Sequence, residues 1–331
     1  MTPSACHGPS DRSLRAEKSA NNSAVTEFVL LGLPSSRAPR LLLSCLFSAA
    51  FAAIVLGNLL IVVSVRADRR LLQAPMYLFL AHLAFLDLGL GCVTVPKVLE
   101  DLLRGRNTIS FPACLAQVCA LHLLGASEML LLTAMAFDRY VAICRPLRYL
   151  AVMDGRLRRR LVTACWAGGF VHSATQAALV LRLPFCGPNR LDNFYCDVPQ
   201  LTKLACADTA VVEALMVANS GLLSLACFVV LLASYTVILA TLRSRLRHGR
   251  GLATCASHLT VVSLIFGPCV FIYLRPFRSF PVDKVISVFY TVVTPGLNPL
   301  VYTLRNAEVK AATQRLGRTL AASCRRRRPG E

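Results

Sequence analysis

Long apolar stretches alternate with short polar segments along the whole chain. A bilayer core about 30 Å thick requires roughly 20 apolar residues per helix, and seven stretches meet that length. They are residues 41–65, 74–96, 111–137, 161–181, 214–240, 252–274 and 285–304. Five contain no Asp, Glu, Lys or Arg, the second contains only Asp87, and the third contains only Glu128. The pattern predicts an all-α membrane protein, a seven-transmembrane helix bundle.

The composition supports this interpretation. Of 331 residues, 55% are hydrophobic and 16% are charged, and the mean hydropathy is +0.57. These values favour one membrane protein over two soluble domains, and no repeat at a fixed period divides the chain. We expect a tail at residues 1–40, the bundle at residues 41–304 and a second tail at residues 305–331.

The distribution of positive charge predicts the orientation. The net charge is +19, and 22 of the 36 Lys and Arg residues fall on the side opposite the N-terminus. Short loops rich in Lys and Arg stay in the cytoplasm, so we expect an extracellular N-terminus and a cytoplasmic C-terminus in the plasma membrane. Residues 1–40 lack an apolar run typical of a cleaved signal peptide. Asn21 begins the single glycosylation sequon and is predicted to be modified.

Four polar side chains interrupt the spans near their middle: Asn58, Asp87, Glu128 and Asn298. Ionisable groups at membrane depth cost several kcal/mol and therefore face the bundle interior. Two converging carboxylates repel unless they share a proton or a cation. A buried sodium or proton site is one hypothesis, and a hydrogen-bonded cluster that only fixes helix packing is the other.

Two further motifs lie on the predicted cytoplasmic side. Asp138-Arg139-Tyr140 stands where the third span ends, and an arginine beside an acid there can exchange partners when helices move. The seventh span contains Pro295, Gly296 and Pro299, which weaken a helix and predict a hinge. Its polar members are Asn298 and Tyr302.

The cysteines and the C-terminal tail add smaller expectations. Five of the 14 cysteines fall on the predicted outer side, where disulfides form, although their pairing does not follow from spacing. They are Cys6, Cys114, Cys186, Cys196 and Cys206. After the seventh span, Val309, Leu316 and Leu320 share one helical face with basic residues between them, which predicts an amphipathic helix on the inner membrane surface. Cys324 is a candidate for palmitoylation.

The sequence contains no motif that is typical of an enzyme. The chain lacks metal-type His and Cys spacing, a glycine-rich phosphate loop and a nucleophile motif. Of the histidines in the spans, His122 alone lies where a ligand role is expected. The basic residues of the C-terminal tail are more typical of a segment that contacts lipid than of a nucleic-acid binding site. The alternative function is that of a transporter or channel. It requires a continuous polar path through the bundle, and only Asp87 and Glu128 indicate one.

These motifs resemble those of vertebrate olfactory receptors of the tetrapod type (class II), which are rhodopsin-like G-protein-coupled receptors. The matching stretches cover almost the whole chain. They are residues 25–33 (VTEFVLLGL), 57–58 (GN), 75–80 (PMYLFL), 135–144 (MAFDRYVAIC), 234–235 (SY), 254–259 (TCASHL) and 297–306 (LNPLVYTLRN). Phe137 and Arg145 depart from the usual Tyr and His of the family, and the N-terminal tail is longer than usual.

The resemblance implies a receptor that binds a small, mostly apolar odorant and activates a stimulatory, olfactory-type heterotrimeric G protein, raising cyclic AMP. It also implies disulfides Cys114–Cys196 and Cys186–Cys206, and favours sodium at Asn58, Asp87, Glu128 and Asn298 as the only bound ion, with no other cofactor. The implied switch contains Asp138, Arg139, Tyr140, Tyr235, Asn298, Pro299 and Tyr302. The implied odorant pocket contains His122, Gly125, Ala126, Met129, Asn219, Phe266, Cys269, Tyr273, Val288 and Thr291. Because these pocket positions include no acidic residue, an amine ligand is disfavoured.

Overall fold

The computed structural model describes residues 25–186, 189–245, 281–305 and 307–326. Five long helices occupy the first five predicted spans: Arg37–Ala67, Pro75–Arg104, Phe111–Cys144, Gly155–Leu181 and Ala210–Arg245. The seventh span consists of the α-helix Pro281–Val288, the π-helical segment Phe289–Val293 and the α-helix Thr294–Arg305. The predicted sixth span and the loop before it lie outside the described residues. We name each helix by its span.

Four of the described helices are long and apolar enough to cross a membrane: Arg37–Ala67, Pro75–Arg104, Phe111–Cys144 and Ala210–Thr241. The fourth-span helix is less apolar because its second half carries His172, Ser173 and Gln176. These three side chains are buried and turn toward neighbouring helices. Ser173 donates a hydrogen bond to the Cys119 carbonyl at 2.7 Å, and Gln176 donates one to the carbonyl of Met216 at 3.2 Å. Polar groups that hydrogen-bond to a neighbouring helix in this way are tolerated inside a membrane bundle.

Local residues set several helix ends. The second-span helix ends at Gly105, which has a φ of 73°, a left-handed conformation that favours glycine. The Arg40 guanidinium donates to the carbonyl of Leu102 at 2.5 and 2.9 Å, satisfying a free acceptor at that end. The fourth-span helix begins after Asp154, whose carboxylate accepts a hydrogen bond from the Leu157 amide at 2.7 Å.

A small sheet covers one end of the bundle. Strand β1 (Glu27–Leu30) pairs antiparallel with β2 (Thr108–Ser110) and parallel with β3 (Arg190–Leu191). Disulfides join Cys114 to Cys196 and Cys186 to Cys206 at the same end. The segment between the fourth and fifth spans is thereby held over the bundle, with Phe194, Tyr195 and Cys196 buried.

The opposite end carries several shorter helices, among them Arg69–Gln73 between the first two spans and the 3-10 turn Pro146–Arg148. Tyr149–Val152 lies in the loop between the third and fourth spans, and Ala307–Arg326 follows the seventh span. Val309 and Ala312 are buried, as expected for an amphipathic helix, whereas Leu316 is half-buried. The side chains of Leu320 and Cys324 lie outside the described residues.

Hydrogen bonds fasten this C-terminal helix to the first two spans. Tyr77 donates from its hydroxyl to Glu308 Oε2 at 2.6 Å, and Arg315 donates to Asp68 Oδ2 at 2.5 Å. The hydrogen bond from Arg315 lowers the pKa of Asp68, with a further contribution from the Arg70 amide. The helix therefore packs against the end of the bundle opposite the disulfides.

Candidate functional site

In the Asp138-Arg139-Tyr140 motif, Asp138 and Arg139 form an ion pair near the end of the third-span helix that lies away from the disulfides. Arg139 donates to Asp138 Oδ2 through Nε at 3.0 Å and through a terminal nitrogen at 2.5 Å. Asp138 is buried, with 1% of its surface exposed. A buried carboxylate with a guanidinium partner is costly to separate, so the motif favours one arrangement of this helix end.

Tyr149 is a third member of this group that the sequence did not identify. Its hydroxyl donates to Asp138 Oδ1 at 2.8 Å, opposite the oxygen that accepts from Arg139. Burial and the negative charge of Asp138 raise the pKa of Tyr149, which keeps the phenol protonated and able to donate. Asp138 is therefore held from two sides, by its own helix and by the short loop helix.

The remaining expected switch residues are described to different extents. Tyr235 is buried in the fifth-span helix, and Asn298 and Pro299 are buried in the seventh. Tyr302 lies in the helix Thr294–Arg305, but its side chain is outside the described residues.

Two of the four polar residues that interrupt the spans, Asp87 and Asn298, are in direct contact. Asn298 Nδ2 lies 3.0 Å from both carboxylate oxygens of fully buried Asp87. Asn58 Nδ2 donates to the carbonyls of Ile54 at 2.9 Å and Pro295 at 3.1 Å. Glu128, in the third-span helix, is also buried, with 4% of its surface exposed.

Three buried oxygens of this cluster have no hydrogen-bond partner among the described residues: Asn58 Oδ1, Glu128 Oε1 and Asn298 Oδ1. Such groups normally find a partner in native proteins. Carboxylate and amide oxygens are the ligands that hard cations prefer, so the residues present fit sodium. Within the described parts of the chain, no three His, Cys, Asp or Glu side chains group to hold a metal.

A cavity of about 100 Å³ lies between the bundle centre and the disulfide-linked end. Four of the ten expected pocket residues line it: His122, Gly125, Ala126 and Met129. Val288, Thr291 and Asn219 are not among the described lining residues, and Asn219 donates to the His172 carbonyl at 3.3 Å. Phe266, Cys269 and Tyr273 lie outside the described residues.

The cavity also contains residues that the sequence did not assign to it. The disulfide-linked segment contributes Tyr195, Cys196, Asp197 and Pro199, and the fourth span contributes His172. Asp197 and Glu128 both line the cavity. The expectation that the pocket contains no acidic residue is therefore wrong, because Asp197, in the segment between the fourth and fifth spans, lies in the cavity wall. The absence of an acidic residue is therefore no longer an argument against an amine ligand.

The fold and these groups define a helical membrane protein with a cavity near the disulfide-linked end, the Asp138–Arg139 ion pair near the opposite end and a polar cluster between them. The family model for olfactory receptors matches residues 47–318. The chain belongs to the olfactory receptor family.

Individual members of the family are similar in sequence to this chain over most of their length. Olfactory receptor 4Q3 of Homo sapiens is 65% identical over 301 residues, covering 90% of this chain and 96% of the relative. Olfactory receptor 4Q2 of Homo sapiens is 54% identical over 88% of this chain and 93% of the relative. Olfactory receptor 4M1 of Mus musculus is 51% identical over 90% of this chain and 96% of the relative. The chain is thus a multi-pass plasma-membrane protein of a G-protein-coupled receptor family, and not an enzyme.

Proposed function

We propose that this receptor binds a small, weakly polar odorant in the cavity near the disulfide-linked end and activates a stimulatory, olfactory-type G protein, raising cyclic AMP. The observation that carries the proposal is the pairing of a cavity lined by the third-span helix with the Asp138–Arg139 ion pair at the opposite end of the same helix. A ligand that prefers one arrangement of that helix shifts the population of receptor states.

The orientation follows from chemistry at the two ends. Both disulfides lie at the end that carries β1, close to the N-terminus, and disulfides persist in oxidising surroundings. We therefore place the N-terminus and the cavity mouth outside the cell. The other end faces the cytoplasm, in agreement with its excess of Lys and Arg.

The cytoplasmic end offers a surface for the G protein. Leu147, in the loop after Asp138-Arg139-Tyr140, is fully exposed at 101% of its reference area, and Leu150 is 77% exposed. Arg145 and Arg148 beside them are exposed as well. An apolar pair rimmed by positive charge is typical of a protein interaction site. We propose that it contacts the G protein when the ion pair rearranges.

Sodium fits the mid-membrane cluster, and we propose that Asp87, Glu128, Asn58 and Asn298 hold it. A bound cation there supplies positive charge that offsets the repulsion of the two carboxylates. The side chains of Asn58 and Asn298 link the first, second and seventh spans, so occupation stabilises the arrangement in which these spans are close.

The test is expression in cells with a cyclic AMP reporter and a panel of odorants. We expect at least one odorant to raise cyclic AMP, and Arg139→Ala to abolish the response with unchanged surface expression. Arg104→Ala is the matched control, since Arg104 is an exposed arginine at the opposite end whose salt bridge with Glu100 lies on the surface.

Two results contradict the proposal. One is silence toward every odorant by receptor that is detected at the cell surface. The other is an odorant response that Arg139→Ala leaves unchanged. Ligand-dependent flux through purified receptor in proteoliposomes supports the transporter or channel alternative instead.

A further inference from the structure

Three exposed arginines lie at the start of the fourth-span helix, on the face of this helix that no described element covers. They are Arg156, Arg159 and Arg160, and we call them the arginine patch. The exposed residues that follow along the helix are small or apolar: Thr163, Ala164, Ala167, Phe170, Val171, Ala174, Thr175, Ala178 and Leu181. Because residues three and four apart share one helical face, the patch ends a continuous stripe that meets lipid in a membrane.

The charges of the arginine patch are not neutralised by the described residues. None of the three arginines forms an ion pair there, and the helix Gly155–Leu181 contains no Asp or Glu. Asp154, the acid that precedes the helix, accepts a hydrogen bond from the Leu157 amide as its cap. Arg156 lies in the first helical turn, where the helix dipole disfavours a cation. An anion at the patch offsets both the repulsion among the arginines and the effect of the dipole.

A fourth arginine of the same segment is engaged elsewhere. Arg158 is half-buried, and it donates to the Gln73 carbonyl at 3.0 Å, at the end of the short helix Arg69–Gln73. Its side chain therefore points toward the second span and away from the stripe. The helix start thus contains one arginine that carries the same charge as the patch residues but does not face lipid.

We propose that the arginine patch binds an inner-leaflet phospholipid whose headgroup carries a phosphomonoester, with the acyl chains along the stripe. A guanidinium pairs with phosphate through two parallel hydrogen bonds, and basic clusters beside a membrane span attract anionic lipid of the cytoplasmic leaflet. The phosphodiester of such a lipid carries one negative charge and a phosphomonoester adds about 1.5–2, which together balance three arginines. Phosphatidylserine has one net negative charge and leaves most of the patch unbalanced. The inference goes beyond the proposed odorant function and uses only its orientation.

The chain contains a local reporter for this site. Its single tryptophan, Trp166, lies on the same helix as the patch. Trp166 is half-buried, and its ring centroid lies 6.0 Å from that of Phe85, which is 55% exposed. Phospholipids with brominated acyl chains quench tryptophan fluorescence on contact. The fluorescence of Trp166 therefore reports which lipid lies beside the fourth span.

The test uses the full receptor in phosphatidylcholine nanodiscs that contain a variable fraction of one brominated lipid. The lipids compared are phosphatidylinositol bisphosphate, phosphatidylserine and phosphatidylcholine itself. Each arginine near a membrane surface changes the affinity for an anionic lipid about fivefold. We expect half-maximal quenching by phosphatidylinositol bisphosphate at a mole fraction about tenfold lower than by phosphatidylserine, and the weakest quenching by phosphatidylcholine.

Variants with the same loss of charge separate the patch from a general attraction. Arg159→Gln is expected to raise the mole fraction of phosphatidylinositol bisphosphate at half-maximal quenching about fivefold. Arg158→Gln removes an equal charge from the residue that faces Gln73, and a change of less than about twofold is expected. If Arg158→Gln is not recovered folded, Arg318→Gln on the C-terminal helix is the control. Lysine at all three patch positions retains the charge without the paired hydrogen bonds and is expected to reduce the preference over phosphatidylserine.

Three results overturn this inference. They are equal quenching by phosphatidylinositol bisphosphate and phosphatidylserine, a loss with Arg158→Gln as large as with Arg159→Gln, and a full preference retained by the lysine variant. If Arg159→Gln weakens the cyclic AMP response and leaves quenching unchanged, the patch contacts the G protein and the lipid site is wrong. The quenching assay contains no odorant and no G protein, so its failure leaves the proposed odorant function intact.

Discussion

At the residue scale, two glycines that face the bundle interior differ in the space around them. A Cβ added at Gly125 meets no atom within 4 Å, and Gly125 lines the cavity. A Cβ added at Gly169 lies 2.1 Å from Ser127 Oγ and 2.7 Å from the Leu123 carbonyl oxygen. Gly125 therefore keeps cavity volume open, whereas Gly169 allows the third and fourth helices to approach closely.

These glycines give a matched pair of substitutions. Gly125→Val is expected to leave surface expression unchanged and to raise the half-maximal concentration of the bulkier odorants about tenfold, since overpacking a site costs about 1–3 kcal/mol. Gly169→Ala adds a single methyl group but is expected to lower surface expression. Odorant dose-response curves and surface labelling measure both effects. Equal expression of the two variants with unchanged odorant responses contradicts this assignment.

The sequence predicted those site residues whose type is unusual for their setting. A carboxylate at mid-membrane is conspicuous, so Asp87 was identified and lies beside Asn298 in the structure. Tyr149 and Asp197 are ordinary loop residues by type. Their contacts with Asp138 and with the cavity depend on how the loops fold back. His172 resembled a packing residue, yet it lies in the cavity wall.

At the element scale, the length of the apolar stretches was sufficient to predict the long helices. It was insufficient to predict the other elements. Each of the five long helices contains its whole predicted span, except that the second begins at Pro75, one residue after the predicted start. The three strands contain only four, three and two residues, too short for a period-two pattern to stand out. Their partners come from loops about 80 residues apart or more. The π-helical segment Phe289–Val293 was not predicted either, although Pro295 and Gly296 indicated an irregular seventh span.

The contact between the short helix Tyr149–Val152 and the third-span helix gives a prediction about basal activity. Tyr149→Phe removes the hydroxyl that donates to Asp138 Oδ1 and preserves the ring. A hydrogen bond to a charged group contributes about 1.5–3 kcal/mol, so Asp138 becomes easier to release. We expect ligand-independent cyclic AMP to rise several-fold, as measured per receptor at the cell surface.

Thr175→Val is the control for loss of a hydroxyl, because Thr175 is exposed on the fourth-span helix and its hydroxyl donates to the Val171 carbonyl of the same helix. It is expected to leave basal cyclic AMP unchanged. A fall in basal signalling on Tyr149→Phe means that the Tyr149 hydroxyl supports the active state, and the prediction is then wrong.

At the scale of the whole molecule, the mid-membrane cluster is placed to connect the two ends. Asp87 and Asn298 join the second and seventh spans, and Asn58 joins the first span to the Pro295 carbonyl. Pro299 follows within the same seventh-span helix, where a proline removes one backbone hydrogen bond. A change at the cavity can thus reach the end that we propose to be cytoplasmic, through a helix that is weakened close to the cluster. The coupling requires two states that differ in how the cluster is arranged.

Sodium removal tests that coupling without an odorant. If sodium binds the cluster and stabilises the resting state, replacing extracellular sodium by choline shifts the population toward the active state. The expected rise in basal cyclic AMP is about twofold if the ion is present near its dissociation constant. Asp87→Asn removes the fully buried carboxylate at the centre of the cluster, so its basal signal should no longer respond to sodium. Asp192→Asn, at an exposed outer salt bridge with Lys284, should respond as the unmodified receptor does. If Asp87→Asn and the unmodified receptor respond equally to sodium, the ion acts elsewhere, and the unpartnered oxygens of Asn58, Glu128 and Asn298 serve helix packing or share a proton instead.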